Sequence, residues 1–270
     1  MSFYVSLNGL KNSQTDLGVI ANNIANAETN GFKKSRTDFG DVVAATALTN
    51  PRMIQGVGST VESITQVFEL GPIEQTGSAL DLAITGPGFF TTVNMETGKT
   101  YYTRNGSFTT DQVGNIQDGS GNVLQTYPVD ANGTPTSNTP QDTQIPATNA
   151  SGSEFASVSI STDGLVTASY ADGSTLPLGS VALASFLTPE GLKKVGSSNW
   201  EVSGISGAAN YGSPGYGQYG TLLSGSLERS NVDIAEELVG LITAQRNFQA
   251  NAKAIDTATQ ISQTIINLRT

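Results

Sequence analysis

The chain has 270 residues, 13 of them basic and 23 acidic for a net charge of −10, and it contains neither cysteine nor histidine. Without thiolate or imidazole there is no zinc cluster, no Ser-His-Asp or Cys-His nucleophile, no haem-ligating histidine and no disulfide. The acidic balance also argues against a nucleic-acid backbone as partner.

Only 13% of the residues are charged, against roughly 25% in ordinary globular domains. Ser, Thr, Asn, Gln and Gly replace them, a surface suited to protein–protein contact or an extracellular setting. The opening MSFYVSLNGLKNSQ lacks a basic region and an unbroken apolar run, so no cleaved secretory signal is expected. No stretch of eighteen apolar residues predicts a membrane span.

Residues 1–35 carry the first helix signal. Phe3, Leu7, Leu10, Gln14, Leu17, Ala21 and Ile24 recur at alternating four- and three-residue steps, which predicts a heptad-bearing helix over 2–27 closed by Asn30-Gly31. Its other face is rich in asparagine (Asn8, Asn12, Asn22, Asn23, Asn26). Residues 36–72 read as a connector, with a small basic cluster at its start, Lys33, Lys34 and Arg36, that suits a solvated turn. Pro51 excludes a helix there, and from Gly58 the period falls to two, with Val61, Ser63, Thr65 and Val67 alternating with Glu62, Ile64, Gln66 and Phe68.

Residues 73–209 show short alternating runs and turn signals about every ten residues, the mark of an all-β domain. Asn105-Gly106 is a hairpin-type pair, and Asp118-Gly119-Ser120-Gly121 another turn. Residues 130–153 are polar and proline-containing, a linker, and residues 210–229 form a second connector.

Residues 230–270 predict one long helix. Ser230 or Asn231 caps it, and Asp233, Glu236 and Glu237 favour its positive end. Arg269 suits the other end. From Val232 to Leu268 it would run roughly 55 Å at 1.5 Å per residue. Ile234, Leu238, Leu241, Gln245, Phe248, Ala252, Ile255, Thr259, Ser262 and Ile266 make a seam matching the N-terminal one. A second stripe, Ala254, Ala258, Ile261, Ile265 and Leu268, runs beside it, more apolar surface than a lone amphipathic helix buries. The fold class is therefore α+β, with two terminal helices pairing as a coiled-coil-like domain and an all-β domain between them.

No constellation of chemistry emerges. Gly86-Pro87-Gly88 is a turn, since no helix follows it. Asp118–Asn122 begins like a calcium loop, but Val129 stands where its glutamate belongs. Asn105, Asn132 and Asn149 open chance N-x-S/T triplets. Glu236 and Glu237 suit a helix N-terminus, and Asp81 and Arg104 suit a salt bridge or a strand face. No enzyme, cofactor or metal is expected.

Four stretches, in order, resemble the bacterial flagellar rod and hook proteins. They are Asn22-Asn23-Ile24-Ala25-Asn26-Ala27-Glu28-Thr29-Asn30-Gly31-Phe32-Lys33, then Leu80–Phe90, then Tyr102-Thr103-Arg104-Asn105-Gly106-Ser107-Phe108, and Ser230–Leu238 with Ala244-Gln245-Arg246-Asn247-Phe248. The resemblance implies an axial subunit whose terminal helices form the inner tube of a hollow helical polymer, with the β-domain outside. It also implies passage through the flagellar type III export channel without a cleaved signal. Partners would be further copies of the chain and other axial proteins of rod, hook–filament junction and hook cap, in a hook or a periplasm-spanning basal body.

The interface expected from this is Leu7, Leu10, Leu17 and Ile24 against Leu238, Leu241, Phe248 and Ile255, with Ile261 and Ile265 facing adjacent subunits. The start MSFYVSLNGL, Gly56–Gly77 and Leu124–Pro128 look most like hook subunits. Those commonly carry a further outer domain where residues 130–153 lie here, so the length resembles the rod. Hook is the expected member and rod the runner-up. A secreted β-rich adhesin with coiled-coil ends is the reading from another class, and an extracellular hydrolase is disfavoured by the missing histidine.

Overall fold

A computed structural model describes residues 2–44 and 55–267. Pro51, Leu268 and Arg269 lie outside the described residues. The chain divides into two compact units, one drawn from residues 1–27, 34–67 and 232–270, the other from 28–33 and 68–231.

The first unit holds helix α1 (Ser2–Ala25), strands β1 (Ser35–Ala44) and β2 (Gln55–Gln66), and helix α2 (Ile234–Asn267). The two helices pack together. Both contain few helix breakers, and Asp233 caps α2 by accepting from Ala235 N (2.8 Å) and Glu236 N (3.2 Å). The stretch 36–72, read from sequence as a connector, contains a long antiparallel ribbon. β1 pairs with β2 from Ser35↔Gln66 to Ala44↔Gln55, with bulges at Asp38/Phe39 and Val42/Val43. Asp38 ties the strands by accepting from Thr65 Oγ1 (2.7 Å) and Ser63 Oγ (3.4 Å), while Arg36 Nε of its own strand donates to it (3.0 Å). A two-stranded ribbon is marginal alone; here it packs on α1.

The second unit is mostly antiparallel sheet. Its main path runs Phe155–Ile160, Leu165–Tyr170, Thr175–Val181, Asn122–Tyr127, Phe89–Asn94, Thr100–Thr103, Asn199–Glu201 and Lys193–Gly196. Alternation sorts the core into two faces. Phe90 joins Leu82, Ile84, Phe108, Leu124 and Val166 in one cluster, while its neighbour Phe89 joins Tyr102, Phe186, Leu192 and Trp200 in the other. Phe89 and Trp200 meet edge-to-face at 5.8 Å. Strand Asn122–Tyr127 is buried throughout. The 210–229 stretch, read as a connector, supplies strands Thr221–Ser224 and Ser226–Glu228, which pair with Leu82–Thr85 and Ile73–Gln75.

One turn recurs. At Asp111, Asp118, Asp130 and Asn149 the side-chain Oδ1 accepts from the backbone N–H groups two and four residues on. The glycine three residues on (Gly114, Gly121, Gly133, Gly152) has φ between +80° and +93°, the left-handed residue that closes a three-residue hairpin loop. The Asp118 carboxylate is thus committed to Ser120 N, Asn122 N and Asn122 Nδ2, not poised for calcium.

Asn105-Gly106 is not a hairpin turn. Gly106 keeps a negative φ, and a Cβ there would lie 1.7 Å from the Leu82 carbonyl oxygen. Close backbone approach, not turn geometry, requires this glycine.

Candidate polymer interface

The helices of the first unit run antiparallel. Asn23 faces Glu237, Ile20 lies 3.5 Å from where a Cβ on Gly240 would stand, and a Cβ on Gly9 would stand 2.7 Å from Asn251 Oδ1. Small residues on this line (Gly9, Ser13, Gly240, Ala244) let the backbones come close.

The contact line is offset from the expected seam. Of the expected residues, Leu7, Leu10, Leu17 and Ile24 are half-buried, as are Leu241, Phe248 and Ile255. Leu238 is 46% exposed, and Phe3, Gln14, Ala21, Ile234 and Gln245 are exposed too. The buried positions are Ser13, Ile20 and Asn23 on α1 and Glu237 and Ala244 on α2. On α2 the least exposed residues step 237, 241, 244, 248, 251, 255 and 258, again a heptad, but with alternate members one residue earlier than the apolar stripe. The reason is a polar anchor. Asn23 Nδ2 donates to Glu237 Oε2 (3.2 Å) and Ser35 O (2.8 Å), while its Oδ1 accepts from Ser35 N (2.9 Å). Asn23 therefore sets the phase of α2 and the start of β1 together. A second asparagine, Asn12, donates to Ser59 Oγ at 2.9 Å, joining α1 to the ribbon.

The offset leaves apolar faces uncovered. Ile234, Leu238, Val239 and Ile242 are exposed near the start of α2. The antiparallel register pairs Gly9 with Asn251, so residues past about 258 run beyond the start of α1. There Ile261, Ile265 and Ile266 are 55%, 60% and 64% exposed. The patch is rimmed by Gln260, Gln263 and Thr264, which are exposed as well.

In the second unit a buried ion cluster gathers residues from distant stretches. Lys33 and Glu228 form an ion pair fully withdrawn from solvent. Lys33 Nζ also donates to Glu69 O (2.5 Å), and Gly71 N donates to Glu228 Oε1 (3.0 Å). Arg104 reaches Glu228 Oε2 through Nη1 (3.4 Å) and Gly86 O through Nη2 (2.8 Å), its guanidinium 5.3 Å from the Phe89 ring centre. Burial pushes the pKa values of Lys33 and Arg104 down, and the Glu228 charge opposes it. Lys33, read from sequence as part of a solvated turn, is instead buried: its aliphatic stem crosses the core and its ammonium finds a carboxylate 195 residues away. Only its place after Asn30-Gly31-Phe32 hinted at this. Gly31 has φ +66° and donates its N–H to Glu228 O at 2.8 Å.

Asp81 accepts from Thr76 Oγ1 at 2.6 Å, and Glu237 is held by Asn23. Among the described residues no group of three or more acidic side chains could hold a metal, and no helix is long and apolar enough to cross a membrane.

Three family models match the chain. Residues 3–33 match the flagella basal body rod protein model, 83–168 the flagellar hook protein FlgE/F/G D1 domain, and 223–268 the flagellar basal body rod FlgEFG protein C-terminal model. The flagellar basal-body rod protein FlgG of Bacillus subtilis strain 168 is 39% identical, covering 99% of this chain and 98% of its own. FlgG of Caulobacter vibrioides is 34% identical over 97% of this chain and 96% of its own. The flagellar hook protein FlgE of Escherichia coli K12 is 27% identical, and both chains are covered fully in an alignment of 412 positions. The paired terminal helices, the β-unit encoded between them and the motif residues Lys33 and Arg104, joined by Glu228 just ahead of the last motif, thus belong to a structural protein of the flagellar axis, a member of the hook and basal-body rod family.

Proposed function

We propose that this chain is the structural subunit of a flagellar hook, polymerising into a hollow, flexible helical tube that transmits torque from rod to filament. The observation that carries the polymer reading is the apolar surface left on α2 after α1 has packed, Ile234 to Ile242 at one end and Ile261 to Ile266 at the other. Each such face suits a helix of a neighbouring copy, and a heterologous contact that closes no ring yields a filament. The polar, weakly charged β-unit allows neighbours to slide as a curved tube turns. The reading includes export without a cleaved signal through the flagellar type III channel, and end-to-end contact with rod, junction and cap proteins.

The hook-like start MSFYVSLNGL and the Leu124–Pro128 segment support hook. Leu124–Tyr127 is a buried strand, and within the stretch read as a linker residues 131–140 are largely exposed, a position able to accept an outer domain, before Gln141–Asp142 pair back onto that strand and Thr143 and Ile145 enter the core. A rod subunit is the second reading, favoured by the FlgG alignment of 281 positions, near this chain's own length, against 412 for the E. coli hook protein. Electron microscopy of a strain lacking the gene separates them. A complete rod without a hook supports hook; absence of an assembled rod supports the second reading and sinks the first.

A further inference from the structure

The chain passes between its two units four times, after residues 27, 33, 67 and 231. Within the second unit, the stretches beside these crossings (28–33, 68–72 and 228–231) meet at one dipeptide, Glu228-Arg229. Glu228 binds Lys33 and Arg104 through its carboxylate, accepts from Gly71 N at 3.0 Å and, through its carbonyl, accepts from Gly31 N at 2.8 Å. Arg229 N donates to Pro72 O (2.8 Å) and Arg229 Nη1 to Asn30 Oδ1 (3.2 Å). The same guanidinium pairs with Glu28, and its Nε lies 3.3 Å from Glu74 Oε2. Asn231 Nδ2 donates to Glu69 O at 3.3 Å. The 28–33 stretch is itself seated in the unit, with Phe32 buried under Lys194 Nζ (4.3 Å to the ring centre) and Asn30 O accepting from Ser198 Oγ (3.1 Å).

The contacts of Glu228 span the chain: Arg104 is 124 residues away, Gly71 157 and Lys33 195. Much of the sheet is instead built from hairpins. Phe89–Asn94 pairs with Thr100–Thr103, and Leu165–Tyr170 pairs with Phe155–Ile160 and Thr175–Val181. Loop-closure entropy has to be met before a distant contact returns anything, so hairpins form early and long-range pairings late. Charge makes the distant group cooperative. Burying one member of an ion pair without the other is strongly unfavourable, and the remaining carboxylate that acts on Lys33, Glu69, belongs to an exposed residue. Lys33, Arg104 and Glu228 therefore enter the interior together.

We propose that the Lys33–Glu228–Arg104 cluster is a latch that closes last in the folding of the second unit and gathers the chain crossings at 28–33, 68–72 and 228–231. Glu228 comes late in the sequence, just ahead of α2, so an incomplete chain leaves the unit open at this end. Such a delay suits a subunit that leaves the cell through a narrow channel. That use rests on the export reading above; the latch does not.

The single tryptophan, Trp200, is buried in the second unit and reports its folding. In stopped-flow measurements on the full chain, Glu228→Gln should speed unfolding about a hundredfold or more and leave refolding within about twofold of wild type. An interaction absent from the transition state changes the unfolding rate alone. A second measurement needs no variant, and decides alone should Glu228→Gln fail to fold. Pulse-labelled hydrogen exchange during refolding of the wild type should protect the Gly31, Gly71 and Arg229 amides in the final phase, after those of Tyr170 and Ala182 in the sheet. Refolding slowed about tenfold or more by Glu228→Gln, or protection of Gly31 and Gly71 no later than the sheet amides, overturns the latch. Secretion of the chain by a route other than the flagellar channel overturns the export reading and leaves the latch standing.

Discussion

Truncating the two exposed isoleucines near the end of α2 offers the sharpest measure of the polymer reading. Ile261 and Ile265 are 55% and 60% exposed, so more than half of each side chain is available for burial against a neighbour. Full burial of an isoleucine is worth about 1.5–3 kcal/mol, which makes the unburied share about 0.8–1.8 kcal/mol for each. Alanine keeps the β-carbon, so the double variant Ile261→Ala, Ile265→Ala should weaken each subunit's incorporation by about 1–2.5 kcal/mol. At 1.4 kcal/mol per factor of ten, the critical concentration for assembly rises about 5- to 60-fold.

Alanine is the better helix former, so loss of helix cannot imitate the effect. Ile265→Asp adds a buried charge and should abolish assembly outright. Sedimentation of polymer at graded protein concentrations reads the critical concentration, with circular dichroism and Trp200 fluorescence as controls for fold. A critical concentration within twofold of wild type for the double alanine variant would refute burial of this end between subunits.

Three further outcomes follow from other parts of the chain. Glu228→Gln leaves Lys33 and Arg104 buried without a counter-charge; loss of one partner of a buried pair costs about 3–5 kcal/mol, and denaturant unfolding followed by Trp200 should show it. Gly106→Ala drives a methyl group against the Leu82 carbonyl, so in place of the roughly 0.4–1 kcal/mol gained where alanine fits it should destabilise the β-unit by more than about 1 kcal/mol, read by denaturant unfolding. The third outcome concerns acid. Hydrogen bonds inside their turns hold the carboxyls of Asp111, Asp130 and Asp172 below the usual range, chiefly through the side chains of Asn115, Thr134 and Ser174 respectively. A carboxylate depressed in the folded state contributes stability above its unfolded pKa and loses it as pH falls. The midpoint for unfolding of the β-unit should therefore fall as pH drops below about 4, less steeply in Asp→Asn variants; a pH-independent midpoint contradicts the turn assignment.

Much of the fold was legible because its determinants are local. Heptad spacing sets where α1 and α2 lie, and the Asp118–Gly121 turn could be read because side chain, turn and left-handed glycine all sit within five residues; the same turn at Asp111, Asp130 and Asn149 was passed over. The two-residue period from Gly58 marked β2, but its partner β1 lacked a clean alternation, and the ribbon was read as a connector. Residues 35–44 place polar Asp38 and Asp41 out of step with apolar Phe39, Val42 and Val43, and the extra residues that keep the two strands paired, Val57 and Glu62, lie on β2.

By itself the sequence determined that two long helices would pair, that their apolar surface would exceed what one chain could cover, and that the middle would be sheet. Tertiary structure alone decided the phase of the pairing. Periodicity is a property of one helix, whereas the contact line depends on which residues allow two backbones to approach, and here Gly9, Gly240 and the Asn23–Glu237 hydrogen bond place it. The same holds for Lys33. Apart from its place after Asn30-Gly31-Phe32, nothing along the chain distinguishes it from its exposed neighbour Arg36; its burial depends on Glu228, brought beside it only when the β-unit closes. Leu238, by the same shift of phase, passes from the expected seam to the surface that a neighbouring copy is proposed to cover.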